Sequence, residues 1–132
     1  MQISSYAKKP FKSLKHCIQR IRRGYCDADL LDMDGWFLWV IVPMLRQFSE
    51  TIPSLPMWLY EQCIEETGYE SGSDELGKIC YQKWKTMLNK LADKFEKLES
   101  LYNDDSGNFQ QQEALKNECF KTFSEYFFEL YL

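Results

Sequence analysis

The chain has 132 residues, 45% of them hydrophobic and 16% aromatic, which is the size of one ordinary domain and too apolar for disorder. A chain of this length buries about 65–70% of the surface it exposes when unfolded, so a core needs no disulfide or metal staple. Residues 1–26 carry seven Lys/Arg and no acid, whereas residues 27–132 carry nine Lys/Arg against all twenty acids, a balance of −11 that would repel a long nucleic-acid duplex.

Residues 1–9 are polar and expected to fray. Pro10 suits a first helical turn. Phe11, Leu14, Ile18, Ile21 and Tyr25 follow at spacings of 3 and 4, the apolar stripe of an amphipathic helix. Its other face carries Lys12, Lys15, His16, Gln19, Arg22 and Arg23, and Gly24 is a natural terminator.

Asp27–Asp29 is expected to open the second helix, with Asp27 or Asp29 as cap and Asp32 near its positive end. Leu30, Met33, Phe37, Ile41, Met44 and Phe48 form its stripe, with Trp36, Trp39, Val40 and Val42 on the remaining sides. Every residue from Trp36 to Leu45 is apolar, ten in a row. A helix apolar all round is buried or lies in a membrane, and ten residues fall well short of the ~20 that span a bilayer. This segment therefore reads as the central buried helix, kinked where Pro43 removes a donor and crowds the carbonyl of Trp39. Gly35 would admit a close neighbour.

Pro53 and Pro56 end that segment, and Met57–Thr67 is a shorter helix with Trp58, Leu59, Cys63 and Ile64 on one side. Gly68–Ser73 is a loop. Asp74 caps the longest helix, whose seam is Trp84, Leu88, Leu91, Phe95, Leu98 and Tyr102. Asn103–Asn108 breaks the chain, and a last helix runs from about Gln110 to Tyr131 with Phe120, Phe123, Phe127 and Leu130 inward. Tyr126, Phe128 and Tyr131 widen that face beyond what one partner helix covers, which suggests self-association. No stretch alternates with period two. The expected fold is all-α: a single domain, 1–132, forming a compact bundle of four main helices plus one short helix around the central Pro-kinked helix.

The five cysteines are odd in number, without C-x-x-C spacing, and all in apolar contexts, as in a reduced cytosolic protein. No apolar segment follows the leading charges, so no secretory signal is expected.

Three sets of residues invite a chemical reading. The basic stripe Lys12, Lys15, His16, Arg20, Arg22 and Arg23, with Tyr25 beside it and Lys8 and Lys9 upstream, would meet an anion or an acidic protein face. Asp27, Asp29, Asp32 and Asp34 would offer oxygen ligands to a divalent cation, with Asp29 and Asp32 three apart on one helix. No H-x-x-E or E-x-x-H partner completes such a site. The favoured reading is an acidic first turn that meets Arg20, Arg22 or Arg23. His16 is the sole histidine, and no nucleophile is arranged with it. Cys17 and Cys26 flank cations, but both read as buried structural thiols. Trp36, Trp39, Trp58 and Trp84 read as core. No catalytic residue, metal or cofactor is expected.

The segment R-I-R-R-G-Y-C-D-A-D-L-L-D-M-D-G-W-F-L-W-V-I-V-P-M-L-R resembles a family of small helical proteins from tailed bacteriophages. The shared pattern is a basic helix, then G-[YFW]-x-D-x-D-[LV]-W-x-[LF]-D, then an apolar run ending I-x-P-x-L-[RK]. Gly24, Tyr25, Asp27, Asp29, Asp32, Asp34, Ile41, Pro43, Leu45 and Arg46 fall into it, while Leu31 stands where the family often has Trp. Trp84, Leu88, Leu91, Phe95 and Glu96 match a later pattern. The resemblance implies a phage origin and a helical fold, with no established activity. It points to a non-enzymatic accessory protein in the host cytosol that counteracts a defence system, by binding a host protein or sequestering a small anionic, nucleotide-like signal. The alternative is a nucleic-acid-binding factor using the basic first helix, and a metal-dependent enzyme using Asp27–Asp34 ranks last. No membrane partner is expected, and a homo-oligomer would form through the C-terminal aromatic helix.

Overall fold

The computed structural model describes residues 10–51, 54–104 and 107–131, with side chains in the first helix from Leu14 onward. The expectations for residues 1–9, for Pro53 and for the side chains of Phe11 and Lys12 lie outside the described residues. Among the described residues five α-helices form: α1 (Pro10–Arg23), α2 (Met33–Thr51), α3 (Met57–Thr67), α4 (Asp74–Tyr102) and α5 (Phe109–Tyr126). Two short 3-10 turns, Asp27–Leu31 and Phe127–Glu129, complete them, and no strand occurs among the described residues. The all-α expectation holds. The chain divides into two units, Met1–Val40 and Ile41–Leu132.

Local chemistry sets the helix ends. Gly24 takes φ +83° and donates its N–H to the Arg20 carbonyl, closing α1 where the sequence places the stop. Gly68 does the same for α3 at φ +71°, bonding to the Ile64 carbonyl. Ser73, rather than Asp74, caps α4, its hydroxyl accepting from Leu76 N–H at 3.3 Å. Asp74 is the first helical residue, where a carboxylate still favours the positive helix end. Asn108 caps α5 by accepting from Gln111 N–H at 3.4 Å.

In the second unit the buried axis is α4. Leu76, Cys80, Trp84, Leu88, Leu91, Phe95 and Leu98 lie along one seam, all but Leu98 at 1% exposure or less. The predicted seam holds from Trp84 to Leu98 and extends two turns further toward the N-terminus, to Leu76, while Tyr102 is exposed. Helices α3 and α5 both pack on α4. Trp58 of α3, Trp84 of α4 and Tyr126 of α5 join the three. Trp84 stands edge-on to Trp58 and Tyr126, with centroids at 6.1 and 5.0 Å, and Trp58 stacks on Tyr126 at 6.1 Å. The Trp84 indole nitrogen has no conventional hydrogen-bond partner among the described residues. Buried Cys63 neighbours Cys80, and burial together with that thiol pushes Cys80 up to about 11.

The helix α2 corrects two expectations. It begins at Met33, not at Asp27, and it is not enclosed on all sides. Met33 and Met44 are 65% and 60% exposed, and Pro43 and Trp39 are also exposed. Its buried face is Leu38, Val42, Leu45 and Ser49, one residue out of step with the predicted Phe37, Ile41, Met44 and Phe48. A run of ten apolar residues has no period, so it cannot say which face turns inward. Polar pairing decides: the Arg46 guanidinium reaches Asp93 and Glu96 at 2.8 Å each, Asn89 donates to Ser49 Oγ at 3.0 Å, and Lys85 meets Glu50 at 3.0 Å. These bonds fix the second half of α2 on α4. The helix continues through Pro43.

The predicted inward face of α5 also turns. Cys119 and Tyr126 are buried, Phe123 and Leu130 half-buried, and Phe120 and Phe127 exposed. The helix stops at Tyr126, short of Tyr131.

Candidate interaction surface

After Gly24 the chain doubles back, and the 3-10 turn Asp27–Leu31 lies on α1. Asp29 is the pivot. Arg20 donates twice to it, Nη2 to Oδ1 at 2.8 Å and Nε to Oδ2 at 3.2 Å, a bidentate pair. Oδ2 also accepts the Cys26 N–H at 2.8 Å. Burial pushes the Asp29 carboxyl up, but the Arg20 guanidinium and the Cys26 N–H outweigh it and hold the group below its ordinary 3.8.

Asp27 is gripped from three sides. Gln19 and Asp27 bond reciprocally, Gln19 Nε2 to Oδ2 at 2.8 Å and Asp27 N–H to Gln19 Oε1 at 2.9 Å. Arg23 Nη2 reaches Oδ1 at 2.5 Å and Lys15 Nζ lies 3.5 Å from Oδ2. The Gln19 hydrogen bond and Arg23 together bring the carboxyl from 3.8 down to about 2. Arg23 also donates to the Tyr25 carbonyl at 3.1 Å and lies 4.5 Å over the Tyr25 ring, while Arg20 lies 5.4 Å from the Trp39 ring.

The predicted basic stripe and the predicted acidic set are therefore largely one internal network. The structure brings Lys15, Arg20, Arg23 and Tyr25 together with Asp27 and Asp29. Arg22 is exposed and makes no ion pair among the described residues. His16 is buried at 4% exposure rather than displayed on a basic face. Asp29 and Asp32 do not share a helix face: Asp29 sits in the 3-10 turn and Asp32 just before α2. Asp32 is the residue that caps α2, its carbonyl accepting from Trp36 N–H at 2.9 Å and its Oδ1 from Gly35 N–H at 3.3 Å. Asp34 Oδ1 accepts from the same N–H at 3.0 Å. A Cβ at Gly35 would fall 2.4 Å from the Asp32 carboxylate, so the close neighbour Gly35 admits is that carboxylate. Among the described residues no three His, Cys, Asp or Glu are grouped to hold a metal. All five cysteines are free, and Cys17 departs from expectation by being exposed.

The largest departure is the orientation of α1. Its inward face is His16, Gln19, Arg20 and Arg23, at helical spacings of 3, 1 and 3. The apolar stripe lies on the opposite side and faces outward: Leu14 is 59%, Ile18 43% and Ile21 85% exposed. The turn and the start of α2 add Leu30 at 53%, Leu31 at 90% and Met33 at 65%. The 3-10 turn offers two carboxylates, and the helix face that answers them is the one with Gln19, Arg20 and Arg23. That choice sends the aliphatic side chains outward.

No known protein family, characterised protein or solved structure matches this chain. No helix among the described residues is long and apolar enough to cross a membrane.

Proposed function

We propose that this chain is a non-enzymatic accessory protein that binds another protein through the outward face of α1 and the adjoining turn. The observation that carries this reading is the aliphatic stripe Leu14, Ile18 and Ile21, exposed on a helix whose Gln19, Arg20 and Arg23 are engaged by the acidic turn. Isolated exposed apolar side chains are ordinary, whereas a row at helical spacing is a binding face. The occupant is a protein surface that is apolar at its centre and acidic at its rim. Residues 1–40 hold seven Lys/Arg against four Asp, and the exposed Arg22 borders the stripe. Carboxylates already occupy Lys15, Arg20 and Arg23, which favours a protein partner over a small anion or a phosphate backbone. The likeness to small phage proteins supplies the partner class: a host protein of the cytosol, with interference in a defence system as the effect.

The test is direct binding between two purified components. A partner recovered from infected cells is titrated against the chain and against Ile21→Asp with Leu31→Asp. The reading expects binding to be lost with the helical signal intact. Binding that survives both substitutions would place the contact elsewhere.

A further inference from the structure

Helix α5 carries a second open surface. Phe120, Phe123, Phe127 and Phe128 form a continuous row of edge-to-face rings, with successive centroids 6.4, 5.7 and 5.4 Å apart. One end of the row is anchored on Phe95 of α4, which lies 5.6 Å from Phe120 and 5.9 Å from Phe123. Beyond that anchor the row stands exposed to solvent at Phe127, 55%, and Phe128, 85%. At about 200 Å² per ring side chain these two present roughly 280 Å² of apolar surface. That is about a third of the ~800 Å² each partner contributes to a stable interface, a size at which a single apolar patch is often functional.

Beside the rings stand Lys121 and Glu125, both exposed, one turn apart, and neither in an ion pair among the described residues. A two-fold contact requires a patch that complements itself, so that residue i meets j and j meets i. Rings at the centre with one charge of each sign at the edge satisfy that requirement. We propose that this face of α5 is a homodimer interface, in which Lys121 of each copy meets Glu125 of the other across the two-fold axis while the phenylalanines pack between them.

Sedimentation equilibrium of the full chain from low to high micromolar concentration tests this. The expected species is a dimer of the 15.8 kDa chain. Phe127→Ser with Phe128→Ser should give monomer. Lys121→Glu or Glu125→Lys alone should weaken the dimer about tenfold or more, because each places like charges together. The double swap should restore it, since the exchanged patch again complements itself. Should the ring variant lose helical signal, the charge series decides alone. Monomer at every concentration overturns the proposal, as does a dimer that survives the ring substitutions, a swap that fails to restore, or open-ended assembly. Ile21→Ser should leave the dimer unchanged, which separates this interface from the α1 surface.

Discussion

Helices α1 and α4 read alike in the sequence, each with apolar residues three and four apart, and the structure uses them in opposite ways. In α4 the seam from Leu76 to Phe95 is sealed at 1% exposure or less. In α1 the stripe faces out, Ile21 at 85%. Apolar periodicity reports that side chains are sorted onto one face; it does not report which face meets the rest of the protein. In α4 both answers coincide, because α3 and α5 bring Trp58, Tyr126, Phe120 and Phe123 to the apolar side. In α1 the neighbour is a turn bearing Asp27 and Asp29, and the polar side wins the contact.

The sharpest way to break that contrast is at its buried pole. Trp84→Ala should cost about 3–5 kcal/mol, read by denaturant unfolding, since it empties the junction of three helices. Trp84→Phe should cost less than half as much, because it keeps most of the volume and removes an indole N–H that lacks a partner. At the other pole, Asp29→Ala removes a bidentate pair and the partner of the Cys26 N–H. The Arg20 side chain keeps 30% exposure, so the loss falls below that of a fully buried pair. Amide exchange should show α1 protection falling by about 2 kcal/mol, with α4 protection unchanged.

A smaller effect lies in Asp27. Its folded value of about 2 is below the ordinary 3.8, so its contribution to stability is complete above 3.8 and is lost as pH falls through about 2. Carbon NMR of the carboxyl should give a midpoint near that lower figure, and Gln19→Ala or Arg23→Ala should move it back toward 3.8. The smallest effect should come from Ile21→Ser, within about 0.5 kcal/mol of the parent chain in unfolding. A large loss there would mean that the stripe is packed after all.

Much of this architecture was legible in the sequence. Pro56 and Gly68 bracket α3 at its observed limits, Gly24 stops α1, and the 3-4 spacing from Trp84 to Leu98 marks the core seam. The pairing of Arg20 and Arg23 with the acidic turn was also anticipated, though not their dependence on Gln19. What could not be read was rotation about the helix axis. The unbroken run Trp36–Leu45 offers no period, and its face is set by Arg46, Ser49 and Glu50 meeting a helix some forty residues away. For α1 a usable signal was present: Gln19, Arg20 and Arg23 share one face and are followed, just past a glycine turn, by two acids. In α1 the charges paired across the tight turn set the contact, and the aliphatic stripe takes the other side.

Hydroxyl-radical footprinting of the free, dilute chain measures that outcome residue by residue. The account expects heavy oxidation at Ile21 and Leu31, with the sole histidine, His16, protected alongside Trp84 and Phe95. Protection of Ile21 together with oxidation of His16 would contradict it.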